Sequence, residues 1–337
     1  RDHNPSTAIS DNDGEGYSEK GSGFEAGPAG FVDDGPWAYG EDPFDAGTTR
    51  RFPADGGAVA TWIPDVPEDG VYALYVAWDS DPDNTSQAHY RITHPGGVIE
   101  RWFDQRVHGS TWQYVETLWM PAGVDGITVE LIGDSEDSGW LSADAVRIGG
   151  GMGDVSRNGG ITGRPRHEEG AVLYNQYNGA PTSVYDPYGD GNGSDPSTRS
   201  RWAAWEHPSG EDAVYLSWHS NAFDGTAQGT VTYYYEGDYT PVSGSAELAD
   251  VVQDELMNAI TSQWSADWYD RGVKRASFSE VSPYHNDETP SALVELAFHD
   301  NEIDAGYLKE PGFRRDMSRA MYRGIVRYFA ERDGEEA

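Results

Sequence analysis

The chain has 337 residues, enough for two domains with separate cores. Its 58 acidic against 23 basic side chains leave a formal charge of −35, which argues against nucleic acid as a partner because phosphate binding needs a basic surface. No cysteine occurs, so disulfides and thiolate metal sites are excluded. No stretch approaches the roughly 20 apolar residues of a membrane span. A charge of this size fits a halophilic or marine source; the alternative is an acidic surface without ecological meaning. The chain starts at Arg1 with no signal-peptide pattern, and reads as a processed or excised piece.

Residues 1–10 are polar and read as a linker or the end of an upstream segment. Residues 11–149 read as an all-β unit. Short alternating runs recur at 58–62, 71–78, 88–93, 112–118 and 126–132, separated by turn signals such as Glu68-Asp69-Gly70 and Pro95-Gly96-Gly97. Without any helical period among them, these runs indicate a β-sandwich. The segment DNDGEGYSEKGSGF, then ATWIPDVPEDGVYALYVAW, ITHPGG, DQRVHGSTWQYVETLWMPAG and LSADAVRIGG, resembles the golvesin or xanthan-lyase type of carbohydrate-binding domain. The 12 Trp and 20 Tyr of the chain suit both a sandwich core and sugar contacts.

A Gly-rich stretch at 150–163 marks the boundary to a second domain at 164–332, with a tail at 333–337. Residues 165–178 have a helical pattern stopped by Gly179, and 182–185 read as a short strand. DPYGDGNGSDP, at 186–196, lacks the spaced carboxylates and closing glutamate of a calcium loop. A helix is expected at 198–206, carrying Arg199 and Arg201. Apolar residues at helical spacing predict further helices at 245–264, with Ser245 as N-cap, and at 313–331.

Two apolar runs carry chemistry. DAVYLSWHSNAF reads as a buried strand ending in His219, Ser220 and Asn221, at the carboxyl edge where α/β sheets place ligand groups. SALVELAF reads as a second strand with one carboxylate, Glu295, inside it. A charge there costs several kcal/mol unless it is paired, metal-bound or protonated. A buried ion pair to one of the arginines is the structural alternative for Glu295.

SWHSNA, GTVTYYY, SAELADVVQDEL, RGVK and ALVELAFHDN, in this order, resemble the zinc-dependent N-acetylmuramoyl-L-alanine amidases of the amidase-3 type. The resemblance implies a three-layer α/β domain after the β-sandwich, a zinc cofactor, His219 as the last zinc ligand and Glu295 as the catalytic carboxylate. It implies peptidoglycan as substrate and an extracellular or cell-envelope bacterial setting. Asn221, His285 and His299 are weaker candidates for lining the substrate. A catalytic zinc needs three protein ligands, and the family's leading H-G-G element has no counterpart at a matching place. Glu168 and Glu169 stand where a glutamate ligand would suit, although HEEG is better read as an acidic first helical turn than as a zincin motif. The expectation is an α/β domain lacking its first elements, completed by an upstream fragment or another copy of the chain. The rival reading is a non-catalytic glycan-binding or structural surface protein; a polysaccharide lyase or hydrolase is a third, without the opposed carboxylates it needs.

Overall fold

The computed structural model describes residues 7–32, 40–149, 156–157, 160–161, 171–189 and 195–335. The chain divides into two compact units, Arg1–Thr198 and Arg199–Ala337.

The first unit opens with β1 (Thr7–Asp11), β2 (Tyr17–Lys20), β3 (Glu25–Gly30), β4 (Gly47–Pro53), β5 (Val59–Trp62) and β6 (Gly70–Val76). It continues with β7 (Ala88–His94), β8 (Gly97–Phe103), β9 (Gln113–Met120), β10 (Thr128–Ile132), β11 (Trp140–Ala143) and β12 (Ala145–Gly149). These strands form sheets in the orders β1-β12-β6-β9, β2-β5-β10-β7-β8 and β11-β4-β3. Alternation explains the packing: Tyr72, Leu74 and Val76 on one face of β6 meet Trp62, Tyr90, Ile92, Val129 and Leu131 from the five-stranded sheet in one buried core. The SADAVR motif is structural in this core. Asp144 is fully buried and accepts from the Phe31 amide at 3.0 Å, and burial raises its pKa well above the carboxylate range. Arg147, also fully buried, lies over the rings of Tyr75 (4.2 Å) and Trp112 (4.8 Å), a cation–π contact.

The remaining elements of the first unit are the two-residue ladder β13 (Ser156–Arg157) with β14 (Gly160–Ile161), α1 (Ala171–Tyr177) and α2 (Thr182–Tyr185). Residues 182–185 are thus one helical turn and not the expected strand. Pro181 (φ −71°, ψ 160°) turns the chain, and the Asp186 amide closes onto the Thr182 carbonyl before any strand partner is reached. Helix α3 (Asp195–Glu206) spans the division between the units.

The second unit holds β15 (Tyr215–Asn221), β16 (Thr230–Tyr235), α4 (Ser245–Gln263), β17 (Asp270–Ala276), β18 (Ser291–Phe298), α5 (Glu302–Lys309) and α6 (Pro311–Asp333). Its sheet runs β15-β18-β16-β17, parallel at β15/β18 and β16/β17 and antiparallel at β16/β18. Leu248, Val252, Leu256 and Ile260 of α4 join Phe313, Met317 and Ala320 of α6 over Ala292, Val294 and Leu296 of β18. That face is sealed, so polar residues of β18 must point to the other one.

Two local expectations change. Ser245 is the first residue of α4, not its cap; Gly244 (φ 91°) holds that position, and the Ser245 hydroxyl accepts from the Ser291 amide at 3.0 Å. Helix α5 was not foreseen. Asn301 caps it by accepting from the Ile303 and Asp304 amides.

Candidate active site

The site is built on the parallel pair β15 and β18, where His219 stands opposite Glu295 in register. The alternation that buries Val294 and Leu296 against α4 and α6 directs Glu295 to the opposite face. Leu293, on the same side as Glu295, packs with Tyr233, Tyr235 and Val281. The register shifts between His219 and Asn221, so Asn221 pairs with Phe298 just past the His219–Glu295 step.

A third polar group enters from a 3₁₀ turn, Ser279–Val281. Glu280 is buried, and its Oε1 lies 3.4 Å from Arg199 Nη1 and 3.5 Å from His219 Nε2. Sequence reasoning missed Glu280. The signal was a carboxylate between Phe278 and Val281, in a segment with no strand or helix period. Arg199, one of the arginines open to an ion pair with Glu295, pairs with Glu280 instead.

The electrostatics follow from burial. Glu295 Oε2 is buried without a hydrogen-bond partner among the described residues. Burial, with the Glu280 charge adding to it, pushes the Glu295 carboxyl up to about 7. Burial also lowers the His219 pKa; Glu280 opposes that effect and Arg199 reinforces it. The imidazole is therefore favoured in its neutral form, with Nε2 2.8 Å from the Ser217 hydroxyl. A neutral imidazole beside a carboxyl that titrates near neutral pH can take up and return a proton.

The weaker candidates have bonding partners of their own. His299 donates its amide to the Asn221 carbonyl (2.8 Å) and sets Nδ1 3.1 Å from the Ser220 hydroxyl, tying the two strand ends. The Asn221 side chain accepts from the Ala222 amide. His285 Nδ1 accepts from Arg201 at 2.8 Å, and burial together with that guanidinium pushes its pKa down to about 4. His167, Glu168 and Glu169 lie outside the described residues, as do residues 190–194 of the Gly/Asp loop.

For the zinc that the resemblance implies, the described residues offer one suitable ligand, the imidazole of His219, favoured in its neutral form. Among the described residues, no group of three or more His, Asp or Glu side chains is arranged to hold a metal ion.

Residues 186–327 match the N-acetylmuramoyl-L-alanine amidase family, and residues 29–150 match the Golvesin C-terminal domain. The chain joins a golvesin-type domain to an amidase-type domain. Curated relatives of the amidase-type domain include an uncharacterized cell wall amidase of Bacillus anthracis, 33% identical over 120 residues. That match covers 34% of this chain and 21% of the relative. The N-acetylmuramoyl-L-alanine amidase LytC of Bacillus subtilis is 32% identical over 116 residues, covering 34% of this chain and 21% of the relative. The chain thus spans about a fifth of the length of these two relatives. Among solved structures, the N-acetylmuramoyl-L-alanine amidase of Clostridium difficile 630 is 24% identical with a TM-score of 0.30, covering 34% of this chain and 57% of that one. The Paenibacillus xanthan lyase is 23% identical with a TM-score of 0.35, covering 42% of this chain and 13% of that one.

Proposed function

We propose that the amidase-type domain hydrolyses the amide between the lactyl group of N-acetylmuramic acid and the L-alanine of the stem peptide in peptidoglycan. The golvesin-type domain, in this reading, holds the glycan, and the protein works outside the cell or in the bacterial envelope. The observation that carries the proposal is the His219–Glu295 step, a neutral-favoured imidazole facing a carboxyl whose pKa is about 7.

His219 serves as a zinc ligand, with Glu168 or Glu169 as a candidate second one. Zinc, when bound, lowers the pKa of water and polarises the amide carbonyl. Glu295 takes the proton of the attacking water and passes it to the leaving amine of L-alanine, a role suited to a carboxyl that titrates near the working pH. Partial burial of Glu295 is what raises its pKa toward that range. Glu280 and Arg199 set the local charge around both groups.

The test measures zinc per chain and release of stem peptides from purified peptidoglycan, for the chain and for His219→Ala. Stoichiometric zinc and peptide release, both lost in the variant, support the proposal. Undiminished zinc in the variant removes His219 as a ligand. A chain with neither zinc nor release supports the non-catalytic surface-protein reading.

A further inference from the structure

The first unit presents a cleft that the amidase reading does not use. It lies at one end of the outer face of the five-stranded sheet. Its lining is Gln87, His89 and Trp102 from β7, β8 and the approach to β7, with Asp134, Glu136 and Asp137 from the loop between β10 and β11. The cleft is open and measures about 410 Å³, within the size range of small-ligand sites.

Its floor is a stacked ring pair. Trp102 stands opposite His89 in the β7/β8 ladder, and the two rings are nearly parallel, 9° apart with centroids at 4.8 Å. His89 is buried while Trp102 is 54% exposed, so the imidazole covers one face of the indole and leaves the other to solvent. A single exposed tryptophan is ordinary on a protein surface. Here it is accompanied by walls already held in place. His89 Nδ1 donates to both oxygens of Asp134, at 2.9 and 3.0 Å. Ser86 donates to Asp137 at 2.6 Å, and the Asp137 amide donates to Ser135 at 3.1 Å. His89 Nε2 is buried without a hydrogen-bond partner; the nearest carboxylate oxygen, of Glu100, is 3.5 Å away.

This combination selects a ligand class. A flat apolar face flanked by carboxylates that only accept hydrogen bonds suits a molecule with one C–H face and a rim of hydroxyl donors. A gluco-configured pyranose has that shape, because its equatorial hydroxyls leave flat C–H faces. No Lys or Arg lines the cleft, and Asp134, Glu136 and Asp137 repel an anionic polymer. We propose that this cleft is the saccharide-binding site of the golvesin-type domain and takes gluco-configured sugar units that are uncharged or carry an ammonium group. The proposal rests on the glycan-holding role assigned to that domain above, and adds its location and its selectivity.

The experiment is calorimetric titration of the full chain with chitohexaose, its de-N-acetylated counterpart, polygalacturonate and an oligolysine peptide. Trp102→Ala is compared with Trp119→Ala, a control tryptophan 52% exposed on β9 in the four-stranded sheet. Melting temperatures establish that both variants fold. Expected are binding of one or both hexosamine oligomers, none of polygalacturonate, an affinity loss of roughly tenfold or more in Trp102→Ala, and no change in Trp119→Ala. Undiminished binding by Trp102→Ala overturns this cleft but leaves the glycan-holding role intact. Binding of polygalacturonate overturns the selectivity. Failure of the unaltered chain to bind any saccharide overturns the glycan-holding role and the cleft with it. Capture of oligolysine alone reassigns the cleft to a cationic peptide.

Discussion

Glu295→Gln should stabilise the amidase-type domain at alkaline pH while lowering turnover by about 10²-fold or more. The ordinary glutamate value of 4.5 and the folded value of about 7 differ by roughly 3 kcal/mol, at about 1.36 kcal/mol per pH unit. The carboxyl is only partly shielded, and solvent screening reduces this to roughly 1–2 kcal/mol. Between pH 4.5 and about 7 the folded state keeps a proton that the unfolded chain has released. Folding stability therefore falls as pH rises through that window, and the variant, lacking the titrating group, escapes the loss. An amide also leaves a buried donor to satisfy, a cost independent of pH, so the decisive quantity is how the difference changes with pH. Melting temperatures of metal-free protein, with chelator present, are compared at pH 5 and pH 8.5. The gap between variant and parent should shift in favour of the variant by roughly 3–6 °C across this range. A gap that is the same at both pH values refutes the claim that burial holds this carboxyl protonated.

Three further outcomes follow from the same reasoning. With −35 on the chain, the melting temperature should rise between low and molar salt, as screening shortens the Debye length to about 3 Å at 1 M; a flat or falling value removes the argument from self-repulsion. Asn301→Ala removes the side chain that caps α5, and should cost about 1 kcal/mol in denaturant unfolding, whereas Asn301→Asp should retain most of it. Gly229→Ala should cost about 3 kcal/mol or more, because Gly229 sits at φ +97° and an added Cβ meets the Tyr269 carbonyl oxygen; a loss under 1 kcal/mol shows that this turn can relax.

The sandwich was legible where burial is one-sided. β7 and β10 alternate apolar with polar, and along β6 burial alternates, with Tyr72, Leu74 and Val76 facing the core. β3 (EAGPAG) has no such alternation, and its pairing depends on close approach: an added Cβ at Gly27 or Gly30 collides with Thr49 of β4. Such a strand is defined by its neighbour, so no period within it can reveal it. α4 and α6 were legible for the opposite reason: each supplies its own apolar stripe to one sealed sheet face. The turn at 182–185 was misread because Val184 and Tyr185 are buried in either conformation, and β-branched and aromatic composition does not separate a buried turn from a buried strand.

At the candidate site the same limit applies more sharply. His219 and Glu295 stood out because each is a polar group in an apolar strand, and the parallel register places them side by side. Glu280 is buried too, but it sits in a 3₁₀ turn, where no alternation marks it as facing inward. Yet it bears on both marked residues: it adds to the rise of the Glu295 pKa and opposes the fall of the His219 pKa, while facing Arg199 at 3.4 Å. Strand pattern locates the pair proposed to move a proton. The neighbouring charge comes from a turn whose position is decided by tertiary packing, through Val281 against Leu293 and Tyr235. A strand motif therefore brings this pair to light before it shows the charge that shifts both groups.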